Sequence, residues 1–303
     1  MANKSWVVLS LVLCVAVAVA VAVVSASDPG LQLIFVLGDS TADVGTNNFL
    51  PTSMVRADFP HNGIDFPSSK PTGRFSNGLN SADFLAQMLG LKRSPPPFLS
   101  LNARSLRKKR FSGANFASGG SGLLDITGNT SEEFLSSLEL AYENHLKSLI
   151  DLGARKFGII SVAPIGCCPS QRIHNTTGGC LEGLNELAVA FHARLDALML
   201  KLSSECKDIK YALGNAFEMT VNVIQNPFPF NFTQVEAACC GAGKLNAKSF
   251  CIPSAKLCSN RNNYLFWDLF HPTQAASKLA AVTLFNGGTQ FVTPINFAQL
   301  AKA

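Results

Sequence analysis

The sequence predicts an α/β protein built on a mainly parallel sheet. Two observations carry this reading. Short apolar runs bounded by turn residues alternate with longer stretches of helical apolar spacing. The 303-residue chain, even without an apolar leader, is long enough for one large domain with a sizeable core, and neither a repeat nor a linker divides it.

The leader is residues 1–26. Lys4 precedes the almost wholly apolar stretch Trp6–Val24, and Val24-Ser25-Ala26 reads as a small-x-small cleavage site. A charged start, an apolar run and a small-residue cut are the marks of a secretory signal peptide. A membrane anchor is the alternative, because the run is long. No later stretch approaches the ~20 apolar residues that a span needs, so the mature chain, 27–303, is expected to carry no integral membrane segment.

The elements of the mature chain follow in order. "LIFVL" (Leu33–Leu37) reads as a buried strand. "NSADFLAQMLG" reads as a helix capped at Asn80 or Ser81 and stopped at Gly90. "RFSGANFA" reads as a second strand, closed by the glycine-rich "SGGSG". Thr130 and Glu133 form a capping box. Leu135, Leu138, Tyr142, Leu146 and Leu149 follow at helical spacing, with Gly153 as the stop. "KFGIISVA" (156–163) is a strand, Leu181–Leu202 a long helix, and "IKYAL" a fourth strand. A Cys- and Pro-rich irregular region is expected to run to about Asn263. The last helix is "PTQAASKLAAVTLF", with Pro272 suited to its first position.

The net charge of +5 is mild and argues against a nucleic-acid partner. One dense cluster, "RSLRKKR" (Arg104–Arg110), allows polyanion binding, but a solvated loop before a strand is the preferred reading. Cys14 lies in the leader. Cys167, Cys168, Cys180, Cys206, Cys239, Cys240, Cys251 and Cys258 remain, an even set that suggests disulfides in an exported chain but leaves their pairing open. They lack paired C-x-x-C spacing, which disfavours zinc. Sequons at Asn129, Asn175 and Asn231 are candidate glycan sites.

In α/β sheets, ligands bind at the C-terminal ends of the strands. After the first strand comes Gly38-Asp39-Ser40. After the second comes Gly119-Gly120, whose bare backbone can donate N–H to an oxyanion. Before the last helix come Asp268 and His271, spaced so that the acid can fix the tautomer of the ring. Each feature alone is more often a turn or a cap. His61, His145, His174 and His192 lack a comparable acidic partner and read as ordinary.

Together, "FVLGDSTADVGTNNFL", "GANFASGGSGLLD" and "FWDLFHPTQAA" resemble blocks I, II and V of the GDSL esterase/lipases, the plant branch of the SGNH hydrolases. "LIDLGARKFGIISVAPIGCCP" and "CLEGLNELA" resemble the same branch, so the likeness spans nearly the whole mature chain. It implies a three-layer flavodoxin-like fold. It also implies Ser40 as nucleophile, His271 as general base, Asp268 as its orienting acid, and the N–H groups of Ser40 and Gly120 as oxyanion donors. Asp39 belongs to the signature but not to the triad. No metal or cofactor is implied. The substrate would be an ester: an acyl lipid, a cutin-like polyester or an acetylated sugar in the cell wall or apoplast.

One mark of the family is absent. No Asn in this chain is followed by Asp, so the G-x-N-D block and its third oxyanion donor are missing. The family places that block at the end of the third strand, centrally beside the first, in the order 2-1-3-4-5. Here the flanking stretches nearly abut around 129–133. The chain is therefore expected to lack the central third strand and adjacent helices, as a splice form or truncated gene product would. The first strand and "KFGIISVA" would then have to close on each other, and activity would be reduced or lost.

Overall fold

The computed structural model describes residues 19–25, 32–107, 111–122 and 130–303. Asn129, Ala26, Cys14 and Lys108–Arg110 lie outside the described residues. In chain order the strands of the main sheet are β1 (Val19–Ser25), β2 (Gln32–Leu37), β3 (Gly113–Asn115), β4 (Lys156–Ile160) and β5 (Lys210–Gly214). β6 (Gln234–Ala238), β7 (Cys240–Gly241), β8 (Lys256–Leu257) and β9 (Tyr264–Phe266) form two small sheets, and β10 (Val292–Pro294) returns to the main one. The helices are α1 (Ser81–Met88), α2 (Ala103–Leu106), α3 (Ser131–Asp151), α4 (Pro169–Arg172), α5 (Glu182–Glu205), α6 (Ala216–Gln225), α7 (Gln274–Asn286) and α8 (Phe297–Lys302).

All four strands read from the sequence are present, and the main sheet runs β10-β5-β4-β1-β2-β3. β2 pairs parallel with β3, and β4 with β5. Gly113 makes the first pairing close: a Cβ there would meet the Ile34 carbonyl oxygen at 1.8 Å. The alternation of side chains sorts the core into layers. Phe157, Ile159, Tyr211 and Leu213 face α3 and α5, where they meet Leu138, Tyr142, Leu146, Phe191 and Leu195. Ala212 and Val292 face the other way, packed with Leu85, Leu284 and Phe297 of α1, α7 and α8. Helices therefore cover both faces of the sheet.

The centre of the sheet differs from expectation. β2 and β4 do not close on each other. Val19–Ser25, from the stretch read as the apolar part of a leader, lies between them and is antiparallel to both. Its register runs from Ala20 opposite Leu37 to Ser25 opposite Gln32 on one side. On the other it runs from Val19 opposite Ile160 to Val23 opposite Lys156. The physical reason is that an open central slot would strand the inner ladder groups of β2 and β4, and buried backbone donors and acceptors require partners. A Val-rich segment suits that place. The expected vacancy of the central position is thus filled, by a strand running against its neighbours.

The caps follow the sequence with small shifts. Asn80 caps α1 through a capping box with Asp83, and Thr130 caps α3 through one with Glu133. Asp83 is also gripped at both oxygens by the buried Arg74, at 2.7 and 2.8 Å, which ties the long loop after β2 to α1. The last long helix is capped by Thr273, so Pro272 stands just before the cap rather than at the first helical position. The region expected to be irregular before Asn263 contains α6, β6, β7 and β8, fastened by Cys239–Cys258 and Cys240–Cys251. A third disulfide joins Cys167 and Cys180.

A chain lacking residues 1–26 tests the role of β1. Each ladder bond is worth about 1 kcal/mol net, so losing both ladders rivals the ~5–15 kcal/mol that holds a domain folded. The shortened chain should melt well below the full chain, with a broadened transition by circular dichroism. Equal melting curves would mean that β1 adds nothing to the sheet.

Candidate active site

β2 delivers Gly38-Asp39-Ser40 at its C-terminal end. Asp39 shapes the turn: its side chain accepts from the Thr41 N–H at 2.8 Å and the Thr41 hydroxyl at 2.7 Å, and its carbonyl accepts from Asp43 N–H. It is a turn-former here and does not touch the His271 ring by any hydrogen bond among the described residues. Ser40, at the tip, is half-buried.

The partner loop comes from the other end of the chain. β9 runs into Trp267-Asp268, and the loop closes on itself through Trp267 N–H to the His271 carbonyl at 2.7 Å and Thr273 N–H to the Leu265 carbonyl at 3.0 Å. Asp268 Oδ1 accepts the backbone N–H groups of Phe270 and His271, both at 2.9 Å. Three contacts hold this loop against the first third of the chain. Trp267 Nε1 donates to Asn62 Oδ1 at 3.0 Å, Gln274 N–H to Asn77 Oδ1 at 2.8 Å, and Leu79 N–H to Gln274 Oε1 at 2.6 Å.

These restraints bring three of the sequence-predicted residues together. His271 Nε2 lies 2.8 Å from Ser40 Oγ, and His271 Nδ1 lies 2.8 Å from both oxygens of Asp268. The Phe75 ring lies 5.0 Å from the imidazole and shields one face. With Nδ1–H given to Asp268, Nε2 is free to accept the Ser40 proton. Burial alone would push His271 down. The Asp268 carboxylate, by charge and hydrogen bond, outweighs it and holds the imidazole above its ordinary 6.5. Burial likewise would raise Asp268, but the facing imidazole and the two N–H groups keep it below its ordinary 3.8.

The fourth predicted residue, Gly120, follows β3. It has φ of 80°, a left-handed conformation that favours glycine. Ser118 N–H and the Ser121 hydroxyl both donate to the Gly38 carbonyl, which seats this loop over the Ser40 turn. The backbone N–H groups of Ser40 and Gly120 have no acceptor among the described residues. Asn115 of the same strand is fully engaged elsewhere. Its amide donates to the Ala42 carbonyl and Ser94 Oγ, and its oxygen accepts from Ala117 N–H.

Two residues not singled out by the sequence reading hold the loop. Buried Asp43 accepts N–H from Gly45 and Thr46, each at 2.7 Å, and from Gly119 at 2.8 Å. Burial pushes its carboxyl up, and those N–H bonds only partly offset this. Asn47 Nδ2 donates to the carbonyls of Val55 and Gly119, both at 2.7 Å, and its Oδ1 accepts the Ser118 hydroxyl at 2.6 Å. Both lie in "GDSTADVGTNN", three and seven residues after the serine. Of the sequons, Asn231 is exposed, whereas the Asn175 amide is engaged with the Cys180 carbonyl and Thr177.

The fold and site define an α/β protein with a hydrogen-bonded Ser–His–Asp constellation beside a glycine loop, at the C-terminal ends of its parallel strands. The chain belongs to the GDSL-like lipase/acylhydrolase family, whose sequence profile matches residues 34–130 and 123–283. The match falls in two pieces that meet at 123–130. Among its relatives are three GDSL esterase/lipases of Arabidopsis thaliana. One is 36% identical, over 91% of this chain and 91% of its own length. Another is 33% identical, over 99% of each. A third is 30% identical, over 92% of this chain and 95% of its own.

The electrostatics give a direct test. In a proton-detected titration, His271 should titrate above 6.5 in the native chain. In Asp268→Asn, where burial acts without the carboxylate, it should titrate lower. No shift between the two would remove Asp268 as the cause.

Proposed function

We propose that this chain is an ester hydrolase that works through Ser40, His271 and Asp268. The observation that carries the reading is the unbroken line of hydrogen bonds from Ser40 Oγ through the imidazole to the Asp268 carboxylate. In the forward step Ser40 Oγ attacks the ester carbonyl while His271 Nε2 takes its proton. The Ser40 and Gly120 N–H groups receive the developing oxyanion. Collapse expels the alcohol, which takes the proton back from His271. Water then repeats the sequence on the acyl-enzyme, with His271 again as base, and releases the carboxylic acid. Asp268 holds Nδ1–H and stabilises the imidazolium without itself taking the proton.

Acyl lipids, cutin-like polyesters and acetylated sugars are the substrate classes this reading carries, and the cell wall is its place of action. The apolar leader and three disulfides support export. Export with cleavage at residue 26 and retention of β1 exclude each other, because the same residues cannot be both removed and paired. A cleaved chain would carry an open slot between β2 and β4.

The reading includes a reduced rate. The two-piece family match supports a missing block at the junction. So does an alignment of 345 positions with the first relative, against a chain of 303 residues. Without the block's Asn, the oxyanion has two backbone donors, and one lost donor costs roughly 10²–10³ in turnover in other hydrolases. The absent Asn favours a second reading, a catalytically idle relative that at most binds lipid or wall ester.

Hydrolysis of a short acyl nitrophenyl ester separates the two. The native chain should turn over with kcat/KM rising through an acid limb above pH 6.5, since His271 must be neutral to act and its proton is held more tightly than usual. Ser40→Ala should lose at least about 10³-fold. Equal rates for the two would exclude the triad and leave the idle reading.

A further inference from the structure

We infer that Asn47 is a positioning residue for the oxyanion donor at Gly120, acting through the Gly119–Gly120 peptide. This deepens the function proposed above and rests on it for the catalytic part of the claim.

The argument begins with a planar bond. In a trans peptide the carbonyl and the following N–H point in opposite directions. Whatever grips the Gly119 oxygen therefore sets the direction of the Gly120 N–H. Asn47 Nδ2 grips that oxygen at 2.7 Å. The Gly119 N–H, at the start of the same residue, is held by Asp43 Oδ2 at 2.8 Å. Gly119 is thus fixed on both sides by block I, while Gly120 N–H has no acceptor among the described residues and lies in an exposed residue of the loop seated on the Gly38 carbonyl.

The grip is itself preorganised. Asn47 is buried. Its second amide hydrogen is taken by the Val55 carbonyl, and its oxygen by the Ser118 hydroxyl, which fixes which end of the amide faces Gly119. The Val55 side chain in turn stands 3.4 Å from where a Cβ on Gly120 would be. A two-glycine turn has wide backbone freedom of its own, so this peptide needs external fixing more than most. On the reading above, in which two backbone donors alone receive the oxyanion, the need is greater.

Asn47→Ala removes the grip and frees the peptide to rotate. Asn47→Asp keeps an acceptor for Ser118 but faces the Gly119 oxygen with an oxygen instead of an N–H. Both should lower kcat for a soluble ester by about tenfold to a hundredfold, as a displaced rather than deleted donor would. KM should change little, because the ground-state carbonyl leans less on the hole than the oxyanion does. Ser118→Ala, which keeps the Asn47–Gly119 bond, should cost less than either.

Amide-hydrogen exchange reads the positioning without catalysis. The peptide covering 117–121 should exchange faster in both Asn47 variants than in the native chain, with β4 and β5 unchanged. Unchanged exchange at 117–121 would overturn the inference even if the native chain proved inactive. So would an unchanged kcat in an active enzyme, or a loss that falls on KM instead. A native chain no faster than Ser40→Ala would sink the proposed function alone, and the exchange comparison would still decide the positioning claim.

Discussion

The site depends on one hydrogen bond, from Ser40 Oγ to His271 Nε2, at 2.8 Å across 231 residues of chain. Nothing local can set such a distance. Ser40 is placed by the end of β2 and by the Asp39 turn. His271 is placed by a loop whose carbonyl, backbone N–H and ring are each held, and which is docked on Asn62, Asn77 and Leu79. The bidentate Arg261–Asp65 pair adds a further tie between the same two regions. The many contacts between the loop after β2 and the C-terminal quarter make sense as the means of holding that single bond. A reacting pair misplaced by 1 Å loses most of its advantage.

The centre of the sheet obeys a different constraint. Parallel strands β2 and β4 leave between them a slot whose ladder groups need partners, and Val19–Ser25 supplies them in the antiparallel sense. The Ser40–His271–Asp268 contacts do not pass through that strand. They run over the C-terminal edge of the sheet, from the loop after β2 to the loop after β9. Geometry at Ser40 and completeness of the sheet are thus separable properties, and a chain can keep the first while being weak in the second.

Much of this was legible in the sequence, for identifiable reasons. β2, β4 and β5 announce themselves as short apolar runs between turn signals, and Asn80 and Thr130 sit where capping boxes require them. Ser40, Asp268 and His271 stand out because the chemistry of a nucleophile and its base needs those side-chain types at strand ends. β1 was hidden because a Val- and Ala-rich run that suits a buried strand also suits an export signal. β10 is a three-residue edge strand ending in proline, too short for any pattern to reveal. Asp43 and Asn47 escaped notice because what ties them to the distant glycine loop is the N–H and carbonyl of Gly119, and a sequence shows no backbone contacts. Gly120 was legible as one of a bare glycine pair after a strand, where backbone N–H can face an oxyanion, and the family resemblance chose it from the pair.

The most direct test of the account asks whether Ser40 is an activated nucleophile. The full chain is treated with a fluorophosphonate, and the adduct is located by peptide mass spectrometry. The account predicts a single covalent adduct on Ser40 that disappears in His271→Ala, because His271 Nε2 is the base hydrogen-bonded to that hydroxyl. An unlabelled native chain would contradict it, as would an adduct elsewhere or labelling of Ser40 that survives the loss of His271.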